Sequence, residues 1–224
     1  MFIVLEGVDG AGKSTQIALL EEYFKTLGKE CVRLHFPRFE APVYGNMIAR
    51  FLRGEFGGID QVNPYLVALL YAGDRADAAR MIRGWMDQGK VVIVDRYVYS
   101  NVGYQCAKVA DVQTRKALKE WILKTEYEEF RIPRPTLSLF LDVPFKFTER
   151  KLTEVREGDD RNYLQGAEDI HEASLDLQRA VRQVYLDAAT TDTDLFVVDC
   201  SNGRGEMDSP EAIHQRILNV VTNR

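Results

Sequence analysis

Residues 2–16 read FIVLEGVDGAGKSTQ, and the order of residue types within this stretch settles the architecture. Phe2 to Leu5 form an all-apolar run suited to a strand buried on both faces. From Ser14 to Leu27, the apolar residues Ile17, Leu20, Phe24 and Leu27 fall on one side of a helix. Between them, Gly7 to Ser14 fits the pattern G-x-x-x-x-G-K-[ST]. A glycine-rich turn between a strand and a helix lets backbone N–H groups converge on oxyanions, and the helix start adds its positive end. In such a loop Gly7, Asp9, Gly10, Ala11, Gly12 and Thr15 would surround the phosphates, Lys13 would reach the terminal ones, and Ser14 would ligate magnesium. The acid Asp9 stands in the middle of this anion cradle and asks for a separate explanation.

The same alternation continues along the chain. A strand is expected over Cys31–Phe36, a long helix from Asn63-Pro64 to Gln88 closed by Gly89, then strands over Val91–Val94, Leu137–Asp142 and Leu195–Val198. A last helix opens at Ser209-Pro210. Residues 54–60, GEFGGID, read as a loop, and residues 156–166, REGDDRNYLQG, as a charged interruption between helices. The expected fold class is α/β, a parallel sheet of about five strands with helices on both faces and the phosphate loop after the first strand.

With 224 residues, 46% hydrophobic and 28% charged, the chain can bury a full core as one domain. A net charge of −5 argues against a general nucleic-acid or membrane binder, so an anionic ligand must be drawn by local Lys and Arg clusters. Cys31, Cys106 and Cys200 are odd in number and lack metal-ligand spacing, and the N-terminus MFIVLEG lacks the features of a signal peptide. A reducing cytoplasm is the expected setting. No apolar run approaches the roughly 20 residues that span a bilayer.

A phosphate loop alone does not name a reaction. A GTP-dependent switch would carry Asn-Lys-x-Asp, which this sequence lacks; a binding module or motor ATPase is the other class to weigh against a kinase. The discriminating feature is a second anion site at the carboxyl ends of the strands. Arg38 in HFPRFE and Asp95-Arg96-Tyr97 after VVIV stand there. An arginine can grip a phosphate with a bidentate fork, and Asp95 can hold magnesium through water; an Asp95–Arg96 ion pair or a helix cap is the alternative. Tyr71 and Arg75, four apart, share one helix face and could meet a flat heterocycle, or pack in the core and pair with Asp74 or Asp77 on the surface. Asn101 and Tyr104 could offer an amide to a base and a ring beside a sugar, or Asn101 could cap a helix.

The pieces LEGVDGAGKSTQ, FPRF, LRGEFGG, LLYAGDRADAA, DRYVYSNVGYQ, LSLFLDVP and DRNYLQGAEDIHE, in this order, resemble the thymidylate kinase family over nearly the whole chain. The resemblance implies a P-loop NTPase three-layer fold, a single nucleoside monophosphate kinase domain over residues 1–224 with a lid at about 156–166, and transfer of the γ-phosphate of ATP to dTMP with Mg2+. It also implies a homodimer. Carried over residue by residue, Lys13, Ser14 and the loop backbone would hold ATP, with Arg150 near the adenine. Arg38 and Arg96 would hold the acceptor phosphate; Phe36, Tyr71, Arg75 and Tyr163 would surround thymine; Asn101 would read its edge; Tyr104 would crowd the 2′ position. Asp9 would contact the 3′-hydroxyl and, with Ser14 and Asp95, lie near the metal. Gly10 stands where other members carry an arginine, so Arg156 or Arg161 in the lid is expected to supply that charge, with Arg150 or Lys151 next in line; Phe39 stands where related bacterial enzymes can carry a tyrosine. A kinase of another deoxynucleoside monophosphate and a non-catalytic relative are the alternatives.

Overall fold

Every residue of β1 (Phe2–Glu6) is buried, as a central parallel strand requires. It pairs in parallel with β3 (Val91–Asp95) on one side and β4 (Leu137–Asp142) on the other. β2 (Cys31–His35) joins β3 at one edge and β5 (Leu195–Asp199) joins β4 at the other, giving the order β2-β3-β1-β4-β5. This computed structural model describes residues 1–153, 159–167 and 169–223, with backbone alone at 153 and 159–161. Parallel neighbours need crossover connections, and helices supply them.

The helices are α1 (Lys13–Thr26), α2 (Tyr44–Leu52), α3 (Pro64–Asp87), α4 (Val98–Cys106), α5 (Val112–Lys124), α6 (Phe145–Thr153), α7 (Leu175–Ala189) and α8 (Pro210–Thr222). α1 packs on α8, while α3, α4, α5 and α7 form a second packed group, so the sheet lies between two helical layers. The sequence signals for the starts hold at atomic detail: the Asn63 side chain accepts from the Tyr65 N–H at the head of α3, and Ser209 does the same for Ala212 at α8. The observed strands end within one residue of the expected limits.

Two elements were not expected. α2 follows the Arg38 turn and buries Ile48, Phe51 and Leu52 against Val67 of α3, forming a small second core. Its approach depends on Gly73, where an added Cβ would lie 2.2 Å from the Tyr44 ring. The second is a π-helical turn, Thr125–Glu129, that continues α5 and carries the fully buried Glu126. Of the segment expected at 156–166, residues 159–164 form a 3-10 turn; Arg156 lies outside the described residues, as does the side chain of Arg161. Among the described residues no helix is long and apolar enough to cross a membrane.

Candidate active site

The carboxyl ends of β1, β2 and β3 open into a cavity of about 600 Å³. Its wall includes Asp9, Gly10, Ala11, Gly12, Lys13 and Ser14 of the glycine loop, Asp95 and Arg96 at the end of β3, and Tyr71, Arg75, Asn101 and Tyr104 of the helices. Residues 7–12 form the turn between the central strand and α1. Gly10 and Gly12 sit at φ of 74° and 79°, a conformation that side chains resist, which is why this turn needs glycine. The Lys13 amine folds back over the loop, 3.3 Å from the Val8 carbonyl oxygen and 3.9 Å from Asp95.

Burial, the largest influence, and the Arg96 charge push the Lys13 amine down to about 8, against the pull of Asp95, Asp9 and Glu6. Near pH 8 part of the Lys13 population is therefore neutral, and a polyphosphate placed beside the amine would favour its charged form. Binding of ATP near pH 8 is expected to take up a fraction of a proton, and Lys13→Ala to remove that contribution. Calorimetry in buffers of different ionisation enthalpy measures this; equal uptake by both proteins would refute it.

Asp9 answers the question raised by its place in an anion cradle. Its Oδ1 accepts from Arg96 Nη2 at 2.6 Å, and its Oδ2 accepts from the Tyr104 hydroxyl at 2.6 Å and from Gln178 Nε2 at 2.8 Å. Burial pushes this carboxyl up, but the charges of Arg96 and Lys13 and the two side-chain hydrogen bonds outweigh it and hold Asp9 well below the ordinary carboxylate range. A carboxylate has about four lone-pair positions, so one remains for a ligand. Asp9 thus ties the phosphate loop to α4 and α7, and sets the positions of Arg96 and Tyr104.

Arg96 is held in an unusual backbone conformation, φ 66°, which is costly for a side chain with a Cβ and concentrates at functional sites. Its N–H donates to Leu5 O, and the next N–H, of Tyr97, donates to Glu6 Oε1 at 3.0 Å. Glu6 Oε2 in turn accepts from Ser100 Oγ at 2.5 Å and Tyr185 at 3.0 Å. This buried network behind the sheet fixes the turn so that the guanidinium faces the loop, with Nη1 on the Gly7 carbonyl oxygen at 2.9 Å.

Arg75 is buried and pairs with Glu126, not with its neighbours Asp74, itself buried, and Asp77 on the surface. Asp74 and Asp77 instead hold Arg38: Arg38 Nε donates to Asp74 at 2.8 Å and Nη2 to Asp77 at 2.6 Å. Asn101 lies inside α4, so it does not cap it. Its Nδ2 donates to Ala68 O and to Glu126, while its Oδ1 is buried and has no hydrogen-bond partner. The Tyr104 ring stacks on His171, centroids 5.0 Å apart, and the Tyr163 ring stacks on Phe39 at 3.7 Å while its hydroxyl donates to Asp169.

Of the sequence-derived candidates, Asp9 to Ser14, Phe36, Tyr71, Arg75, Asp95, Arg96, Asn101, Tyr104 and Tyr163 share the cavity wall. Gly7, Thr15, Arg38 and Arg150 stand outside it, although Gly7 receives Arg96, and the Arg150 guanidinium lies over the Phe147 ring. Sequence reasoning missed Glu6 and His35, which flank recognised motifs, and Glu126, Asp169, His171 and Gln178, which arrive from distant segments. His35, 3.5 Å from Asp95, was within reach of inference because it ends β2 beside Arg38.

A family model described as thymidylate kinase matches residues 5–215. A probable thymidylate kinase of Thermococcus kodakarensis is 33% identical, with 99% of this chain and 97% of that protein covered. A thymidylate kinase of Mycobacterium tuberculosis is 34% identical over 84% of this chain and 86% of its own. Among solved structures, a thymidylate kinase of Candida albicans superposes with a TM-score of 0.73 at 22% identity, covering 99% of this chain and 91% of that one. The sheet order, the glycine loop after the central strand and these matches agree that the chain belongs to the thymidylate kinase family.

Proposed function

We propose that this protein transfers the γ-phosphate of ATP to the 5′-phosphate of dTMP, giving ADP and dTDP. The observation that carries this reading is the continuity of the cavity. A glycine loop suited to polyphosphate, the Arg96 guanidinium and the buried polar side chains Arg75 and Asn101 line one space, so a donor phosphate, an acceptor phosphate and a base could share it. A pure binding module would have no need of a second anion site aimed at the first. The direct test is a panel of nucleoside monophosphates offered with ATP and magnesium, following ADP release. Phosphorylation of dTMP well ahead of the other monophosphates is expected; its absence would overturn the reading.

The chemistry asks little of the protein beyond alignment. The acceptor is a phosphate oxygen, largely ionised at neutral pH because its second pKa is about 6, so no base is needed. Lys13 and Arg96 offset the repulsion between the two anions and hold them in line. Asp95 suits a hydrated Mg2+: its Oδ1 is buried without a hydrogen-bond partner, and although burial pushes the carboxyl up, Lys13 and His35 outweigh it and hold it down at about 2, so it stays ionised. Ser14 and Asp95 would hold the ion, which when bound spreads charge off the transferring group. Asp9 has both oxygens engaged and is less suited to it.

The segment 156–166 is read as a lid over ATP, with Arg156 or Arg161 bringing the charge that Gly10 lacks. The whole of residues 1–224 acts as one kinase unit. The exposed Leu66 and Leu69 on α3 support a homodimer through that helix, and three unpaired cysteines support a reducing cytoplasm.

Tyr104 sets the sugar preference in this reading. Tyr104→Ala should narrow the preference for dTMP over its ribose counterpart, because the ring that fills the space is gone. Tyr104→Phe should keep the preference but lose some rate, since Asp9 loses a donor. Kinetics with both nucleotides check this, and an unchanged preference in the alanine variant would reduce Tyr104 to packing.

A further inference from the structure

Glu126 is wholly buried, lies 51 positions from Arg75 and 25 from Asn101 in sequence, and touches both. Arg75 donates Nε to Oε2 at 2.5 Å and Nη2 to Oε1 at 2.6 Å, and Asn101 donates Nδ2 to Oε1 at 2.9 Å. The second acceptor for Asn101 Nδ2 is the Ala68 carbonyl oxygen at 3.0 Å. A carboxylate and a carbonyl can only accept, so the amide has one permitted orientation. The nitrogen must face Glu126, and Oδ1 must face away.

That oxygen is buried without a partner, and Asn101 and Arg75, joined through Glu126 Oε1, both line the cavity. An unpaired buried acceptor is expensive, so the site calls for a ligand that brings an N–H to Asn101 and a carbonyl to Arg75. Thymine and uracil present that pair along one ring edge. Cytosine presents a bare ring nitrogen where the N–H is needed and an amino group where the carbonyl is needed.

We propose that Glu126 is a positioning residue for base selection: by fixing the Asn101 amide and the Arg75 guanidinium together, it makes the recess accept a thymine edge and reject a cytosine edge. The π-helical turn is what brings the carboxylate inward at the end of α5, between α3 and α4. This deepens the kinase reading above and rests on it for the identity of the acceptor.

The test is Glu126→Gln. A glutamine carries a carbonyl on one side only: with that carbonyl at the Oε1 position it still accepts from Arg75 Nη2 and Asn101 but turns an amino group on Arg75 Nε, and in the reverse orientation it meets both Arg75 Nη2 and Asn101 with a donor. Either orientation breaks a contact that fixes the two side chains together, so the recess loses its rigid pairing of an acceptor on Asn101 with a donor on Arg75. The kcat/KM ratio of dTMP over dCMP should fall about tenfold or more, with the loss falling mainly on KM, since this contact is far from the transferring phosphate. The ratio of dTMP over dUMP should not move, because those two bases share this edge. Glu126→Asp keeps the charge on Arg75 but draws back from Asn101, and should also lower the dTMP over dCMP ratio.

Calorimetric binding of dTMP and dCMP without ATP reads the same selectivity apart from turnover. A wild-type protein that phosphorylates none of these nucleotides would sink the kinase reading, and the binding ratio would still judge Glu126. The proposal is overturned if folded Glu126→Gln, or Glu126→Asp should the glutamine variant fail to fold, keeps the wild-type dTMP over dCMP ratio. It is equally overturned if activity drops while that ratio stays fixed.

Discussion

Lys13→Ala is expected to lower turnover by about three orders of magnitude in a protein that still folds. The amine stands over the loop between the Val8 carbonyl and Asp95, where the charge of a donor polyphosphate must be met. Removing a single preorganised donor from a transition state costs about two to three orders of magnitude in rate, and here the donor also carries a full charge in a water-poor site. The fold should survive, because α1 is anchored by Ile17, Leu20 and Phe24, and because the amine is already disfavoured by burial in the empty site. Lys13→Arg should not restore the rate: the planar fork is larger and directs its donors differently. Steady-state kinetics with circular dichroism decide the matter. Near-native turnover in a folded alanine variant would remove Lys13 from the chemistry.

How much of this was legible beforehand follows from range. β1, the loop and α1 could be read because each signal is local: an unbroken apolar run, glycines at fixed spacing, a 3.6-residue stripe. Helix starts at Asn63 and Ser209 were legible for the same reason, since a cap bonds two or three residues away. Arg75 was recognised as a candidate, yet its buried partner was not foreseen. The adjacent acids offered as an alternative hold Arg38, while Glu126 arrives from the end of α5. Gln178, which bonds Asp9 across 169 residues of sequence, left no trace in any window a local rule can scan. α2 was missed because its nine residues follow a loop rich in turn signals, and its stability comes from packing on α3 and not from its own pattern.

The second large effect concerns Arg96, and it arises from how Arg96 and Asp9 depend on each other. Arg96→Ala removes the guanidinium that faces the loop, so an acceptor phosphate loses its nearest charge in the cavity. It also leaves Asp9 without the partner that most favours its ionised form, while Tyr104 and Gln178 still hold that carboxylate in place. An unopposed negative group would then stand beside an incoming anion, so the loss exceeds that of one phosphate contact. We expect kcat/KM for dTMP to fall by about three orders of magnitude, with a much smaller change in the KM for ATP, whose main contacts are with the loop. Adding Asp9→Asn to Arg96→Ala should recover about tenfold, since it removes the repulsion without restoring the attraction, whereas Asp9→Asn alone should lower activity by loosening Arg96 and Tyr104. That change of sign between backgrounds is the signature of the coupled pair. If Asp9→Asn instead costs the same factor in both backgrounds, the two side chains act independently, and the contact at 2.6 Å has no part in presenting Arg96 to the acceptor.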